Sequence, residues 1–341
     1  MRAAIVTREH RLERPVRSAR QVHDVRTEVA LVLQSAGVFG VGVVSPQPVA
    51  ILGDPGVAEV LDCLATRGLE RIRAVGRTPG ERGWAQVHSL FGDGPRDRWT
   101  AAVVEAAVLD LEVAETQRSW SEVLGGGETS FQCVGSLLGG EILLNPLATR
   151  YRIKVSAEPT VDFSELEKVT APVLLDFNGD APDVTNVIET ITRARQFATV
   201  VGVEQAWAIG DFTRPAELRR HGVWVSHDES MRSVADLRHA IRYEAADAVA
   251  LKPARCGGIA VVRAIARRAS DAGVEFYVGG FFEQPLGRFR NHVLAQSLQA
   301  GPSDVLHRES GLPVTFEEAE GDRADWIERA EHQGEWLEVG G

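Results

Sequence analysis

Alternating apolar and polar positions mark the first part of the chain as sheet followed by helix. The run TEVALVLQSAGVFGVGVVSP (Thr27 to Pro46) alternates β-branched and small residues around a glycine, which predicts an antiparallel hairpin. Two later runs, VAEVLDCLATRGL and RWTAAVVEAAVLDLEVAETQ, have apolar residues at helical spacing. A sheet followed by helices predicts an α+β domain over residues 1–125.

A glycine-rich stretch indicates where this domain ends. The run SEVLGGGETS (Ser121 to Ser130) contains three consecutive glycines, which are expected to end a helix and begin a loop. We therefore divide the chain into an α+β domain at 1–125, a second domain at 126–312 and a C-terminal segment at 313–341. We expect the acidic C-terminal segment to return to the first domain, with a solvated helix as the alternative.

From Phe131 onward, short apolar runs alternate with helical segments. Strands that are apolar throughout, each followed by a helix, are typical of a parallel sheet covered by helices. The first of these strands lacks the glycine turn of a nucleotide-binding open sheet, so the pattern favours a closed β/α barrel. The six runs are YRIKV, APVLLDFN, TVVGVEQ, GVWVSHDES, DAVALKP and VEFYVGG.

Each of the first five runs carries a charged side chain near its end, and these side chains have a regular spacing. The residues are Lys154, Asp176, Glu204, Asp228 and Lys252, separated by 22, 28, 24 and 24 positions, which is one βα unit each time. In a β/α barrel the C-terminal strand ends point into one mouth. We therefore expect two lysines and three carboxylates to converge on one site.

This set of side chains indicates a metal-assisted proton transfer. Three carboxylates without histidine or cysteine suit Mg²⁺, and Mn²⁺ is an alternative. Such a metal would stabilise the enolate formed when a carboxylate substrate loses its α-proton, and lysines would serve as base and acid. Taken singly, each residue has a simpler explanation, because a strand-end carboxylate is commonly a solvated turn residue and a lysine commonly reaches out to water.

Composition and charge restrict the class of partner. With 44% hydrophobic and 25% charged residues, the chain has the composition of a soluble globular protein. The net charge of −11 argues against nucleic acid and anionic membranes as partners, and leaves a small carboxylate substrate and a homo-oligomeric state open. Three scattered cysteines and the lack of a long apolar run predict a cytoplasmic protein.

The strand-end motifs resemble those of a known family. RIK (Arg152 to Lys154), LLDFNG, VEQ, HDESMRSVADLRHAI, KPARCGG and GGFFEQPLGRFRNHVLAQSL are similar to successive segments of the enolase superfamily, in its muconate-lactonizing-enzyme-like subgroup. Within that subgroup the chain most resembles o-succinylbenzoate synthases and N-succinylamino acid racemases. The likeness is close from Val223 to about Leu298 and looser from Tyr151 to Gln205.

The resemblance implies a fold, an activity and roles for individual residues. The implied fold is a modified TIM-type (β/α)7β barrel with an N-terminal α+β capping domain. Asp176, Glu204 and Asp228 would bind Mg²⁺, and Lys154 and Lys252 would be the acid and base pair. The residues expected to line or support the substrate site are Arg152, Asn178, Gly279, Gly280 and Glu283, with Glu229 supporting the metal ligands.

The most similar activity is o-succinylbenzoate synthesis, a dehydration in menaquinone biosynthesis. The alternatives are an N-acylamino acid racemase, a muconate cycloisomerase-like enzyme, a Schiff-base aldolase using Lys252, and a non-catalytic barrel. Arg152 departs from the family's lysine, and Asp304 lacks the second aspartate of a dipeptide epimerase. The linkers 138–151 and 155–173 look too short for helices, and residues 8–30 and 44–56 of the cap are expected to set specificity.

Overall fold

A computed structural model describes residues 1–17, 22–73, 83–138, 142–307 and 310–339. The chain begins with an antiparallel sheet of β1 (Arg2–Arg17), β2 (Val22–Ser35) and β3 (Val38–Val44). Ala36 and Gly37 join β2 to β3, and both have positive φ angles (48° and 83°), as a two-residue hairpin requires. The hairpin predicted for residues 27–46 is therefore confirmed.

Helices cover one face of this sheet. Helix α3 (Pro95–Thr116) runs across β3, and Gly40 and Gly42 allow the two backbones to touch. A Cβ atom at Gly40 would collide with the carbonyl oxygen of Ala107, and one at Gly42 with that of Val103. The helices of this part are α1 (Val57–Cys63), a π-helix (Leu64–Gly68), α2 (Leu69–Ile72), a 3-10 helix (Trp84–Leu90), α3 (Pro95–Thr116) and α4 (Trp120–Leu124).

The second part of the chain is a curled parallel sheet of seven strands, with helices outside it. The strands follow chain order from β4 to β10. They are β4 (Phe131–Ser136), β5 (Ala148–Lys154), β6 (Val173–Asp176), β7 (Val200–Glu204), β8 (Trp224–His227), β9 (Ala248–Leu251) and β10 (Glu275–Val278). The helices are α5 (Val184–Ala194), α6 (Thr213–Arg220), α7 (Val234–Arg242), α8 (Pro253–Cys256), α9 (Ile259–Asp271) and α10 (Pro285–Leu298).

A short extended segment closes the sheet into a barrel. The Ser303 amide donates to the Ser130 carbonyl and the Gln132 amide donates to the Ser303 carbonyl, both at 2.9 Å, while the Asp304 amide donates to the Val278 carbonyl at 2.9 Å. Residues 303 and 304 thus occupy the place of an eighth strand between β10 and β4. The predicted (β/α)7β barrel with an N-terminal cap is confirmed.

Two linkers of the barrel are short, as the sequence suggested. Only a 3-10 helix (Ser164–Lys168) lies between β5 and β6, and residues 142–147 before β5 form no helix. Residues 139–141 of the other linker lie outside the described part of the chain. Strand β4 itself was missed by the sequence analysis, because only half of its residues are buried and it does not read as an apolar run.

The C-terminal segment lies on the first sheet. Helix α11 (Phe316–Gln333) has a fully buried Trp326, and the guanidinium carbon of Arg8 lies 4.3 Å from its ring centroid. Strand β11 (Leu337–Glu338) then pairs antiparallel with β1, with Arg2 opposite Glu338. The limits of the three proposed segments stay a prediction.

Two further features concern the cysteines and the helices of the chain. Cys63, Cys133 and Cys256 are free thiols. Over the ranges that the structure describes, no helix has the length and apolar character needed to cross a membrane.

Candidate active site

The five predicted residues lie at the same edge of the barrel. Lys154, Asp176 and Glu204 are the last residues of β5, β6 and β7, and they stand opposite one another in the register of these strands. Asp228 and Lys252 directly follow β8 and β9. Because parallel strands end at one edge, the regular spacing in the sequence becomes one arc of side chains in space.

Asp176 and Asp228 are each bound by a lysine. The Lys154 Nζ lies 3.0 Å from Asp176 Oδ2, and the backbone amide of Asn178 donates to Asp176 Oδ1 at 3.0 Å. The Lys252 Nζ lies 2.7 Å from Asp228 Oδ2, and Arg255 Nη1 donates to Asp228 Oδ1. Both carboxylates are almost fully buried.

Glu204, between them, is bound by an arginine and a tyrosine. Arg152 Nη1 donates to Glu204 Oε1 at 2.8 Å, and the Tyr277 hydroxyl donates to Oε2. Arg152 also reaches Asp304 of the closing segment, with Nη2 3.0 Å from Oδ2. All six oxygens of the three carboxylates therefore accept at least one hydrogen bond, and four of the seven donor groups are cationic, the seventh being Asn178 Nδ2 at 3.4 Å from Asp176 Oδ2.

Burial and neighbouring charges act in opposite directions on these carboxyl groups. Burial raises the pKa of Glu204, and the nearby Arg152 only partly offsets it. Burial also disfavours the charged form of Asp228, but Arg255 and Lys252 outweigh burial and lower its pKa. Burial, together with the neighbouring Asp228, raises the pKa of Glu229 to about 7. The site thus holds carboxyl groups of unlike acidity within a few residues of one another.

The other predicted site residues surround this arc. Asn178 accepts from Lys154 Nζ through Oδ1 at 2.8 Å and donates to Glu229 Oε1 at 3.3 Å. Gly279 lies against the Lys252 side chain, where a Cβ atom would be 3.3 Å from Cε. A Cβ atom at Gly280 would collide with the Glu283 carboxylate, and Glu283 accepts from the Phe281 amide at 2.7 Å.

A cavity of about 70 Å³ opens between these side chains and the cap. Its barrel side includes both lysines. Its cap side is formed by residues of the segment predicted to set specificity: Gln47, Ile51, Leu52 and Asp54. Residues 18–21 of the other such segment lie outside the described part of the chain, while Arg26 within it donates to the Gln47 side chain at 2.8 Å.

The carboxylate oxygens of Asp176, Glu204 and Asp228 are the type of ligand that a hard divalent cation such as Mg²⁺ prefers. Within the described ranges, no three histidine, cysteine, aspartate or glutamate side chains are grouped so that they could hold a metal ion as they stand, because the carboxylates face their cationic partners. Glu229 Oε2, beside Asp228, is buried without a hydrogen-bond partner in the described structure. Buried polar atoms are normally satisfied, so this oxygen indicates a place for a further donor such as water.

Several contributors to the site were not singled out by the sequence analysis. Tyr277 and Arg255 contact the arc and Asp54 binds Arg255, but these residues lie on elements whose mutual position only the fold reveals. The amino-acid composition also marks the two lysines of the arc. The chain has only three lysines among 37 basic residues, and two of the three are Lys154 and Lys252. A chain that uses arginine almost everywhere else keeps the titratable amine at these positions.

Comparison with known proteins places this fold and site in a family. The family model described as enolase C-terminal domain-like matches residues 148–327, more than half of the chain. The chain therefore belongs to that family within the enolase superfamily. Its relatives identify it further as a member of the muconate-lactonizing-enzyme-like subgroup.

Two curated relatives and one solved structure illustrate the similarity. An N-succinylamino acid racemase from an Amycolatopsis species is 28% identical over 226 residues, which are 62% of this chain and 61% of the racemase. An o-succinylbenzoate synthase from Thermobifida fusca is 30% identical over 237 residues, 65% of this chain and 70% of the synthase. A probable mandelate racemase from Alicyclobacillus acidocaldarius shares the fold, with 20% identity, a TM-score of 0.79 and coverage of 99% of both chains.

Proposed function

We propose that the protein is a Mg²⁺-dependent enzyme that removes the proton α to a carboxylate, and that its reaction is o-succinylbenzoate synthesis in menaquinone biosynthesis. One observation carries this proposal. Lys154 on β5 and Lys252 after β9 flank three carboxylates on the intervening strands, and both lysines line one cavity. The similarity to the Thermobifida synthase supports the choice of reaction.

Asp176, Glu204 and Asp228 would hold the Mg²⁺ ion. When bound, the ion supplies positive charge against which the negative charge of a deprotonated substrate develops. The two ammonium groups now bonded to Asp176 and Asp228 would then be released toward the cavity. Glu229, whose Oε2 has no hydrogen-bond partner in the described structure, and Asn178, which donates to Glu229 Oε1, would orient water or substrate.

Lys154 is proposed as the base. Its Nζ would take the α-proton of the substrate and then return a proton to the departing hydroxyl, so that water leaves and the lysine is regenerated. Lys252 lies on the other side of the three carboxylates in strand order, with its Nζ 4.8 Å from the ring centroid of Phe281. Lys252 would steady the negative charge of the intermediate.

N-acylamino acid racemisation is the second candidate. It is supported by two lysines on either side of the carboxylates, since a racemase needs a proton donor and a proton acceptor on opposite faces of one carbon, and by the similarity to the Amycolatopsis racemase. Dipeptide epimerisation has less support. Asp304 accepts from Arg152 at 3.0 Å and from Arg288 at 3.4 Å, so its charge is already compensated.

Ultraviolet absorbance can follow conversion of 2-succinyl-6-hydroxy-2,4-cyclohexadiene-1-carboxylate to o-succinylbenzoate, with Mg²⁺ and with EDTA. We expect turnover that EDTA abolishes. Polarimetry of N-succinyl-L-phenylalanine under the same conditions tests the second candidate. Racemisation without dehydration would replace the first candidate by the second, and metal-independent or absent turnover of both compounds would contradict the proposal.

A further inference from the structure

A tight turn of the cap reaches the mouth of the barrel. Ile51 and Asp54 exchange backbone hydrogen bonds at 3.1 and 2.9 Å, and Leu52 and Gly53 between them have positive φ angles of 51° and 68°. A leucine in this conformation is strained by about 1 kcal/mol or more, so surrounding contacts must hold it there. Leu52 lines the cavity between cap and barrel.

Two arginines of the barrel hold this turn. Arg232 Nη2 donates to the Leu52 carbonyl at 2.8 Å, while its Nε donates to the Glu229 carbonyl at 2.8 Å. Arg255 forms a forked ion pair with Asp54, with Nη2 2.6 Å from Oδ2 and Nε 3.1 Å from Oδ1. Asp54 and Arg255 are each only 3% exposed, so little solvent screens this pair.

The same guanidinium group also binds a carboxylate of the candidate metal site. Arg255 Nη1 donates to Asp228 Oδ1, so one cation is shared between Asp54 of the cap and Asp228 of the barrel. The charge of Asp54 offsets that of Arg255. Without Asp54, more of the positive charge of Arg255 would act on Asp228 and would oppose a second cation at that carboxylate.

The turn forms part of the wall of this cavity. Ile51, Leu52 and Asp54 line it from the cap side, opposite Lys154 and Lys252 of the barrel. The turn joins the barrel mouth through the Asp54 pair and the Arg232 hydrogen bond, so movement of the turn changes the surroundings of Arg255.

We propose that Asp54 is a positioning residue that links closure of the cap turn to binding of a divalent cation at the barrel mouth. By sharing Arg255 with Asp228, the closed turn favours the cation, and by reciprocity the bound cation favours the closed turn. The inference rests on the proposed function, because it takes Asp228 as a metal ligand.

Calorimetric titration of the full chain with Mg²⁺ tests this link. We expect Asp54→Asn to weaken Mg²⁺ binding by about tenfold, within the usual range of coupling between sites. Asp247→Asn is the matched control, because Asp247 forms a forked pair with Arg219 at the opposite end of the barrel, and it should bind Mg²⁺ as the wild type does. The double variant Asp54→Asn, Arg255→Gln should regain affinity, which loss of structure alone would not produce.

Hydrogen exchange provides a second readout that requires no variant to fold. In the wild type, Mg²⁺ should slow exchange of the Ile51 and Asp54 amides, which are hydrogen-bonded across the turn. Unchanged exchange in a wild type that binds Mg²⁺, or equal Mg²⁺ affinity in Asp54→Asn, would overturn the link and leave the proposed function standing. A wild type that does not bind Mg²⁺ would overturn both.

Discussion

Lys154 and Asp176 are partners in two respects. Their Cα atoms stand opposite each other in the register of β5 and β6, and their side chains meet with Nζ 3.0 Å from Oδ2. The backbone pairing therefore fixes the base candidate beside the first metal-ligand candidate. If one of the two strands slipped by one residue, its side chain would turn to the other face of the sheet and the pair would be lost.

Arg152 is expected to be the main electrostatic support of the barrel closure. Substitution Arg152→Ala leaves the buried Glu204 without its cation and weakens the compensation of Asp304, so the free energy of unfolding should fall by about 3–5 kcal/mol. Urea denaturation followed by tryptophan fluorescence measures this. The control Arg67→Ala breaks an exposed pair with Asp97 and should leave the free energy of unfolding almost unchanged. Equal losses in the two variants would refute the prediction.

Gly258, which precedes α9, is expected to tolerate no side chain. Its φ of 120° is unfavourable for other residues, and a Cβ atom would collide with the Glu105 carboxylate. Gly273 has a φ of 69° with open space around it, so Gly273→Ala should cost about 1 kcal/mol from the backbone alone. Gly258→Ala should cost about 1–3 kcal/mol more by overpacking. The midpoints of thermal unfolding compare the two variants, and Gly258→Ala should unfold at the lower temperature. Equal midpoints would contradict the prediction, because they would mean that the Glu105 carboxylate moves aside without cost.

Glu105 should make stability depend on pH. Its buried carboxylate accepts from the backbone amides of Ile259 and Ala260 at the start of α9, and burial raises its pKa from 4.5 to about 8. Between these values the unfolded chain releases a proton that the folded chain keeps, so rising pH favours unfolding. The free energy of unfolding should fall by up to about 1.4 kcal/mol per pH unit in this window.

Glu105→Gln removes this titration, which allows the contribution of one residue to be separated. Denaturant unfolding at several pH values from 4.5 to 8 should show the wild type losing stability relative to the variant as pH rises. Parallel curves for the two proteins would mean that Glu105 is ionised throughout this range in the folded state.

The barrel and its five central residues could be predicted because both follow from local sequence. Apolar runs separated by helices imply parallel strands, and the edge rule then brings strand-end residues 22 to 28 positions apart into one mouth. The rest depends on contacts between distant segments. Arg152 meets Asp304 only because residues 303 and 304 close the barrel, and Asp54 meets Arg255, 201 positions away, only because the cap docks on the mouth.

Two pairs of neighbouring glycines show that the sequence alone does not reveal why a glycine is present. Gly257 and Gly258 have the positive φ angles (100° and 120°) expected of a tight turn. Gly279 and Gly280 do not belong to the residues with positive φ, and their role is to leave room for the Lys252 and Glu283 side chains. A sequence pattern indicates that a side chain is absent, but only packing shows why.

The most direct test of the account uses the scarcity of lysine in this chain. The rate of o-succinylbenzoate formation with Mg²⁺ should be measured for the wild type and for Lys154→Arg, with Lys168→Arg as the control at the only other lysine, which is exposed and pairs with Glu165. Arginine keeps the charge but cannot give up its proton, so Lys154→Arg should lower the rate by about 10²- to 10⁴-fold while Lys168→Arg leaves it unchanged. A wild-type rate in Lys154→Arg would contradict the assignment of Lys154 as the base.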